Sequence, residues 1–197
     1  MEYVVKQYPL QQGALEIQYI EEFFGEFARR KTATEIIQRL TGRQHLIVMA
    51  IAPLPDDPGS VVPVSYKVAH EVFADESDPK LRDLVERLGD VVRFNGRKVL
   101  YQWIGATRRD WRGQGHFRAL TEEQEVWAVA CGFDEFVAKT KNRYYGMRST
   151  LDALRFDVIK FEAQPDNHES KVYLSKKLHA DVIDSHQSRR SVVKVGE

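Results

Sequence analysis

Two glycines, four arginines and a histidine stand close together in the stretch RRDWRGQGHFRAL, residues 108–120. Gly113 and Gly115 have no Cβ, so the main chain there can adopt a positive φ and approach a ligand closely. The stretch follows an apolar run and leads into a segment with helical character, and the unpaired N–H groups at the start of a helix attract anions. Two interpretations stay open at this point: a phosphate-binding turn, or an ordinary helix entry whose arginines face water.

The composition and the other motifs narrow the function classes. The stretch is not a P-loop, because no Gly-Lys-Ser/Thr follows, and it is not a dinucleotide fingerprint, because Arg118 stands where a third glycine is needed. A net charge of zero over 197 residues gives no general argument for nucleic acid or an anionic membrane. The six histidines lack metal-ligand spacing, and the single Cys131 excludes an internal disulfide. No apolar run approaches the roughly 20 residues that span a bilayer. We therefore expect a soluble, cytoplasmic protein with no metal, no nucleic acid and no membrane partner.

Hydrophobic periodicity predicts an alternation of strands and helices. Strands are expected over residues 2–10, 45–55, 61–73, 99–106, 133–140, 157–164 and 171–178, with a turn over 55–60, and helices over 13–30, 34–40, 116–131 and 142–156. Residues 75–98 interrupt this alternation as a polar insertion over the sheet, with one short helix from about 79 to 88. The pattern predicts an α/β (α+β) fold, with a single domain over 1–183 and a polar tail over 184–197. The strands on either side of helix 116–131 should be parallel, because a strand, a helix and a strand in succession form a right-handed crossover.

A resemblance to a known family makes the prediction for this turn more specific. RGQGHF, residues 112–117, resembles the R/Q-x-x-G-x-G/A pyrophosphate loop of the GNAT N-acetyltransferases, and the order of the predicted elements is similar to theirs. VSYKVAHEV, residues 64–72, and the segment 101–147 resemble one bacterial subgroup of unassigned substrate. The resemblance implies the GNAT fold, a mixed sheet of six to seven strands that splays at the acetyl-CoA site and is flanked by helices.

The resemblance also implies acetyl-CoA as cosubstrate and assigns residues to it by position. The loop that would hold the pyrophosphate, mainly through main-chain N–H groups, consists of Arg112, Gly113, Gln114, Gly115, His116 and Phe117. The main chain of Ile104 and Ala106 would pair with the pantetheine arm, and Asn142 would lie near the pantetheine or the acyl end. Phe117 departs from the family pattern, which has Gly or Ala there, so its ring must turn away from the cofactor.

The catalytic residues are less well marked. Acyl transfer to an amine needs an unprotonated nucleophile and a proton for the departing thiolate. The tyrosine that many family members use as the acid would fall at Leu151 and is absent. Tyr144 and Tyr145 are the candidates on the same predicted helix, Ser149 is a weaker substitute, and a water chain could replace any of them. For the base, Glu71 and His70 are adjacent on a strand and point to opposite faces, so only one can face the cleft. Packing or solvent-exposed roles are the alternatives for each of them.

The resemblance implies an N-acetyltransferase that transfers the acetyl group to a primary amine of a small molecule or peptide, directly, in a ternary complex. Glu21 and Glu22 on the first predicted helix could bind a cationic acceptor, although a solvated helix face is the default interpretation. Two alternatives remain: a non-catalytic acyl-CoA-binding module that acts as a sensor or scaffold, and a protein-interaction domain without a CoA site. A homodimer is an open question.

Overall fold

The computed structural model describes residues 2–10, 19–20, 31–54, 56–182, 184 and 186. Its strands are Val4–Tyr8 (β1), His45–Leu54 (β2), Asp57–Val72 (β3), Val99–Thr107 (β4), Glu135–Lys141 (β5), Asp157–Glu162 (β6) and Lys171–Lys177 (β7). The helices that lie wholly within these residues are Ala33–Leu40 (α1), Pro79–Leu88 (α2), His116–Ala130 (α3) and Tyr145–Ala153 (α4), with short 3-10 turns at Arg109–Trp111 and Asn167–Glu169. None of the helices in the described part of the chain is long and apolar enough to cross a membrane.

The strands form one mixed sheet in the order β1-β2-β3-β4-β5-β7-β6. β2 is antiparallel to β1 and β3, and β7 is antiparallel to β5 and β6. β4 and β5 are parallel and are joined through α3, as the crossover argument predicted. Their pairing ends at Gln102 and Ala138, and each strand then continues. The predicted α/β class with a mixed sheet is confirmed.

Contacts group the chain into two compact units: Met1–His70 with Ile104–Gln124, and Glu71–Trp103 with Glu125–Glu197. In the first unit, Thr32 caps the start of α1. The Thr32 hydroxyl accepts from the Glu35 N–H at 3.1 Å, and the Glu35 carboxylate accepts from the Thr32 N–H at 2.9 Å. This reciprocal capping box satisfies two N–H groups that a helix start leaves unpaired. Ile36 and Leu40, one turn apart, are both fully buried.

The hairpin between β2 and β3 is tighter than the sequence predicted. A turn was expected over 55–60, but β3 already begins at Asp57, which pairs with Leu54. The Asp57 carboxylate accepts hydrogen bonds from the Gly59 N–H at 3.2 Å and the Ser60 hydroxyl at 2.5 Å. These bonds fix the start of β3. From the sequence the same residues are predicted as a loop, because they are rich in Pro, Asp and Gly.

In the second unit, α2 covers part of the sheet. Asp78 caps it by accepting from the N–H groups of Lys80 and Leu81. The apolar side of α2 packs into a buried cluster with strand residues; this cluster contains Leu81, Leu84, Leu88, Val72, Val99, Val137 and Tyr173. The helix predicted inside the polar insertion is therefore present and lies over the sheet. The boundaries proposed for the domain, 1–183 with a tail over 184–197, stay a prediction.

Several predicted elements need correction. The predicted helix over 142–156 is shorter, Tyr145–Ala153. The helix over 13–30 lies outside the described residues except for Tyr19 and Ile20, which are helical, and Glu21 and Glu22 lie outside them as well.

The buried side of α3 also differs from the predicted apolar stripe of Phe117, Leu120, Trp127 and Cys131. Of these four only Leu120 is fully buried, and the other buried positions are Thr121, Gln124, Glu125 and Ala128, with His116 at the start of the helix. Thr121 bonds Lys67, Glu125 bonds Lys176 and His116 bonds Ser65, which offsets the cost of burying these three side chains.

Candidate functional site

The glycine-rich stretch connects β4 to α3 within the first unit. After Thr107 the chain makes a 3-10 turn, passes through the loop 112–115 and enters α3 at His116. Gly113 and Gly115 have φ values of +77° and +81°, and a Cβ on either would meet no atom within 4 Å. Glycine is thus needed here for its conformation rather than for lack of room. The space around both residues is open at the start of a fifteen-residue helix.

The arginines around the loop have different local partners. Arg108 pairs with Asp110 at 3.0 Å, and Arg118 pairs with Glu122 at 3.0 Å, so acidic neighbours offset both charges. Arg112 donates from Nε to the Thr107 carbonyl at 3.2 Å, which anchors the loop without neutralising the guanidinium. Arg109 is exposed, and no acidic partner for it is seen in the described residues. Main-chain N–H groups, Arg112 and Arg109 therefore supply the best groups for an anion, because the first N–H groups of a helix have no intrahelical acceptor.

The His116 side chain is directed into the unit and away from solvent. Only 2% of the residue is exposed, and its Nδ1 lies 2.9 Å from the Ser65 hydroxyl on β3. The rings of Tyr3 and Trp111 lie 3.9 Å and 5.6 Å from the imidazole, measured between ring centroids. Burial lowers the pKa of His116, so the ring is neutral near pH 7. His116 anchors the start of α3 to β3, and only its main-chain N–H is at the loop.

Phe117, the residue that departs from the family pattern, packs on a buried cation. The Lys67 ammonium lies 4.1 Å from the centroid of the Phe117 ring. The Thr121 hydroxyl accepts a hydrogen bond from the same ammonium and donates one to the Phe117 carbonyl at 2.6 Å. The ring is thus directed at a lysine of β3, and Lys67 is a site neighbour that the sequence analysis did not single out.

Ile104 and Ala106 lie near the end of β4, and both are half-buried. Between them, Gly105 packs closely against β3: a Cβ at this position would be 3.0 Å from the Tyr66 carbonyl oxygen and 2.9 Å from Lys67 Cγ. This end of β4 is therefore held against β3 by close backbone contact, and it leads directly into the glycine loop.

Asn142 belongs to the second unit, at the end of β5. It is 8% exposed, and its N–H donates to the Ser170 carbonyl at 2.8 Å. Its side-chain oxygen accepts from Arg148 Nη1 on α4, so its amide nitrogen is the group left to act as a donor. Arg148 Nε is buried, and no partner for it is seen in the described residues. Sequence reasoning missed Arg148 because nothing in the spacing shows that the helix folds back over the preceding turn.

The catalytic candidates also lie in the second unit. Tyr144 and Tyr145 are 48% and 57% exposed, and the Tyr144 hydroxyl accepts from Arg143 at 3.2 Å. Glu71 is half-buried near the end of β3. Leu151, which stands at the position of the expected acid, is fully buried. The structure thus brings the loop residues, Ile104 and Ala106 together in one unit. The roles assigned to these residues stay predictions, as do those of Asn142, Tyr144, Tyr145 and Glu71.

The described residues contain no group of three or more His, Cys, Asp or Glu side chains arranged to hold a metal ion. Sequence comparison adds little: no protein-family model and no curated protein matches the chain.

Structure comparison is more informative. The chain is similar to NAA60 of Arabidopsis thaliana in complex with a bisubstrate analogue, with a TM-score of 0.65, 14% identity and coverage of 88% of this chain and 98% of that one. It is similar to a chain of the NatC complex bound to Gag peptide and CoA, with a TM-score of 0.64, 14% identity and coverage of 89% and 99%. It is also similar to the GNAT phosphinothricin acetyltransferase of Sinorhizobium meliloti in complex with acetyl-CoA, with a TM-score of 0.60, 14% identity and coverage of 90% and 89%. At these identities the likeness establishes the fold, and that fold is the one expected from the sequence.

Proposed function

We propose that this GNAT-fold chain is an acetyl-CoA-dependent N-acetyltransferase whose 112–117 loop binds the pyrophosphate of the cosubstrate. The observation that carries the proposal is the loop itself: two glycines with positive φ, open space around both, and a helix that begins at His116. The pyrophosphate is an anion, and a helix start offers both unpaired N–H groups and the positive end of the helix dipole.

The residues of the first unit fit this group in detail. Main-chain N–H groups from Gly113 to Phe117 would bind the phosphate oxygens, and Arg112 would add a charge. Ile104 and Ala106 would pair with the pantetheine arm through their main chain. The side chains of His116 and Phe117 take no part in these contacts, because both are directed at β3.

The proposed reaction joins an amine to the acetyl group. The neutral amine nitrogen attacks the thioester carbonyl, so that a C–N bond forms and the C–S bond breaks. The amine loses a proton to a base, and the departing CoA thiolate takes up a proton from an acid. Tyr144 or Tyr145 is proposed to supply the proton to the thiolate, Glu71 to accept the proton from the amine, and Asn142 to contact the cosubstrate.

One structural relative was solved with a peptide and another is named for the small molecule phosphinothricin, so both kinds of acceptor are proposed. The single Cys131 supports a cytoplasmic location.

The decisive test of the loop is Gly115→Asp, measured by calorimetric titration with CoA. The wild-type chain should bind CoA, and the variant should bind it more than about a hundredfold more weakly, because a carboxylate within about 4 Å of a phosphate costs several kcal/mol near a protein surface. Gly42→Asp is the matched control. Gly42 has a φ of +80° and open space around it, so it carries the same backbone strain and the same added charge outside the loop.

The control should bind CoA like the wild type. Equal losses of CoA affinity in Gly115→Asp and Gly42→Asp would show that backbone strain, and not the loop, causes the loss. A wild-type chain that does not bind CoA at millimolar concentration would refute the proposed site.

A sensor or scaffold that binds acyl-CoA without turnover is the second candidate, and the buried Leu151 at the position of the expected acid favours it. Release of free thiol from acetyl-CoA, followed across a panel of primary amines and peptides, separates the two. Amine-dependent thiol release identifies the enzyme, whereas tight CoA binding without release across the panel identifies the sensor.

A further inference from the structure

We infer that Lys67 is a positioning residue for the pyrophosphate loop: it fixes the strand before the loop and the helix after it, and it adds a buried positive charge beside the first turns of α3. This inference rests on the proposed CoA site. Lys67 lies on β3, outside the loop and outside every residue assigned to the cosubstrate.

Lys67 holds Phe117 in two ways. Its ammonium lies 4.1 Å from the centroid of the Phe117 ring, and it donates to the Thr121 hydroxyl, which in turn donates to the Phe117 carbonyl. Lys67 is 1% exposed and Thr121 is fully buried, so water does not compete for these contacts. Phe117 is the last residue of the proposed loop, and its main-chain position is therefore set by Lys67.

The stem of Lys67 fixes the other side of the loop. Its Cγ would lie only 2.9 Å from a Cβ at position 105, so the lysine stem packs closely against Gly105. Gly105 stands between the two residues proposed to pair with pantetheine. One buried side chain thus contacts both the strand that enters the loop and the helix that leaves it, which is the arrangement that holds two flexible glycines in one geometry.

Lys67 acts on the bound anion through the loop that it positions. Gly105 precedes the proposed phosphate-binding loop and Phe117 ends it, and Lys67 contacts both residues. Removing these contacts should therefore weaken anion binding without removing any group that touches the anion.

Lys67→Met tests the inference because it removes the charge and keeps the length of the side chain. We expect it to weaken binding of CoA by about tenfold, the effect of losing roughly 1.4 kcal/mol when the charged hydrogen bond that links Lys67 to Thr121 and positions Phe117 is removed. Binding of 3′-phosphoadenosine 5′-diphosphate, the pyrophosphate-bearing half of CoA, should weaken by the same factor. Lys139→Met is the matched control: Lys139 is half-buried in the second unit with its ammonium 5.6 Å from the Tyr173 ring centroid, and its replacement should leave both affinities unchanged.

Titration calorimetry of the folded variants decides the matter. Wild-type affinity for CoA in Lys67→Met would overturn the inference, and so would a loss confined to CoA that spares the nucleotide half. A wild-type chain that binds neither ligand would instead refute the proposed CoA site.

If Lys67→Met does not fold, Thr121→Val replaces it, because it removes only the hydroxyl that links Lys67 to Phe117. This variant should weaken both ligands by roughly threefold, the lower range for one net hydrogen bond. An unchanged affinity in Thr121→Val would count against Lys67 in the same way.

Discussion

The buried ion cluster around Glu125 allows a sharp prediction about stability. Glu125 on α3 is fully buried, and one of its oxygens, Oε2, accepts from the Lys176 ammonium at 2.9 Å and from His186 Nε2. Replacing Lys176 by Met leaves the carboxylate buried with one partner fewer. Removing one partner of a buried pair costs about 3–5 kcal/mol, and because His186 stays bonded we expect about 3 kcal/mol less free energy of unfolding.

Lys141→Met is the comparison for this prediction. Lys141 pairs with Glu169 in the same unit, but the two side chains are 41% and 36% exposed, so the loss should be at most about 1 kcal/mol. Urea unfolding followed by circular dichroism measures both variants. The double variant Lys176→Met with Glu125→Gln should recover part of the loss, because the neutral amide removes the buried charge and its oxygen can still accept from His186. If Lys176→Met lowered the free energy of unfolding no more than Lys141→Met does, burial would not explain how the cluster stabilises the chain.

Three further substitutions test contacts near the loop and on α4. Burial lowers the pKa of His116 below its usual 6.5. Below about pH 6.5 the unfolded chain therefore binds more protons than the folded chain. The free energy of unfolding falls with pH in this range, by no more than about 1.4 kcal/mol per pH unit. The free energy of unfolding of wild type minus that of His116→Gln should therefore shrink on going from about pH 8 to about pH 5, and a constant difference would contradict the assignment. Gly105→Ala should destabilise the chain by about 1–3 kcal/mol in urea unfolding, since the new Cβ would lie 3.0 Å from the Tyr66 carbonyl oxygen. Gly146→Ala on α4 is the control, because a Cβ there would meet no atom within 4 Å. It should leave the free energy of unfolding unchanged or raise it by up to about 1 kcal/mol. Equal losses of stability in Gly105→Ala and Gly146→Ala would argue against crowding at Gly105.

Local chemistry explains which parts of the fold were predictable from the sequence. α1 was recognised from Thr32 and its stop at Gly42, and α2 from Pro79 and the apolar spacing that follows, because caps and periodicity act within a few residues. The crossover through α3 followed from the order of elements, and the loop followed from Gly113 and Gly115, whose positive φ only glycine adopts readily.

Long-range polar contacts explain most of what the sequence did not show. Lys67 meets Thr121 from 54 residues away, and Lys176 meets Glu125 from 51 residues away. A buried lysine or glutamate looks like a solvated one in sequence, since its burial is favourable only when the partner is in place. His186 shows the same: it falls in the stretch predicted as a polar tail, yet it is 2% exposed and bonded to Glu125.

The polar residues on the buried side of α3 restrict how this helix can dock during folding. Apolar side chains can replace one another when a helix slides by one turn, at a modest loss of packing. A slide of one turn would instead bring Phe117 or Glu125 to the place of Thr121, and the hydroxyl that receives the Lys67 ammonium would be gone. A slipped helix would then leave a lysine buried without that acceptor, which is strongly unfavourable. The bond between Lys67 and Thr121 therefore favours one docked position of α3 over positions shifted by a turn, a selection that a purely apolar interface would make less strongly.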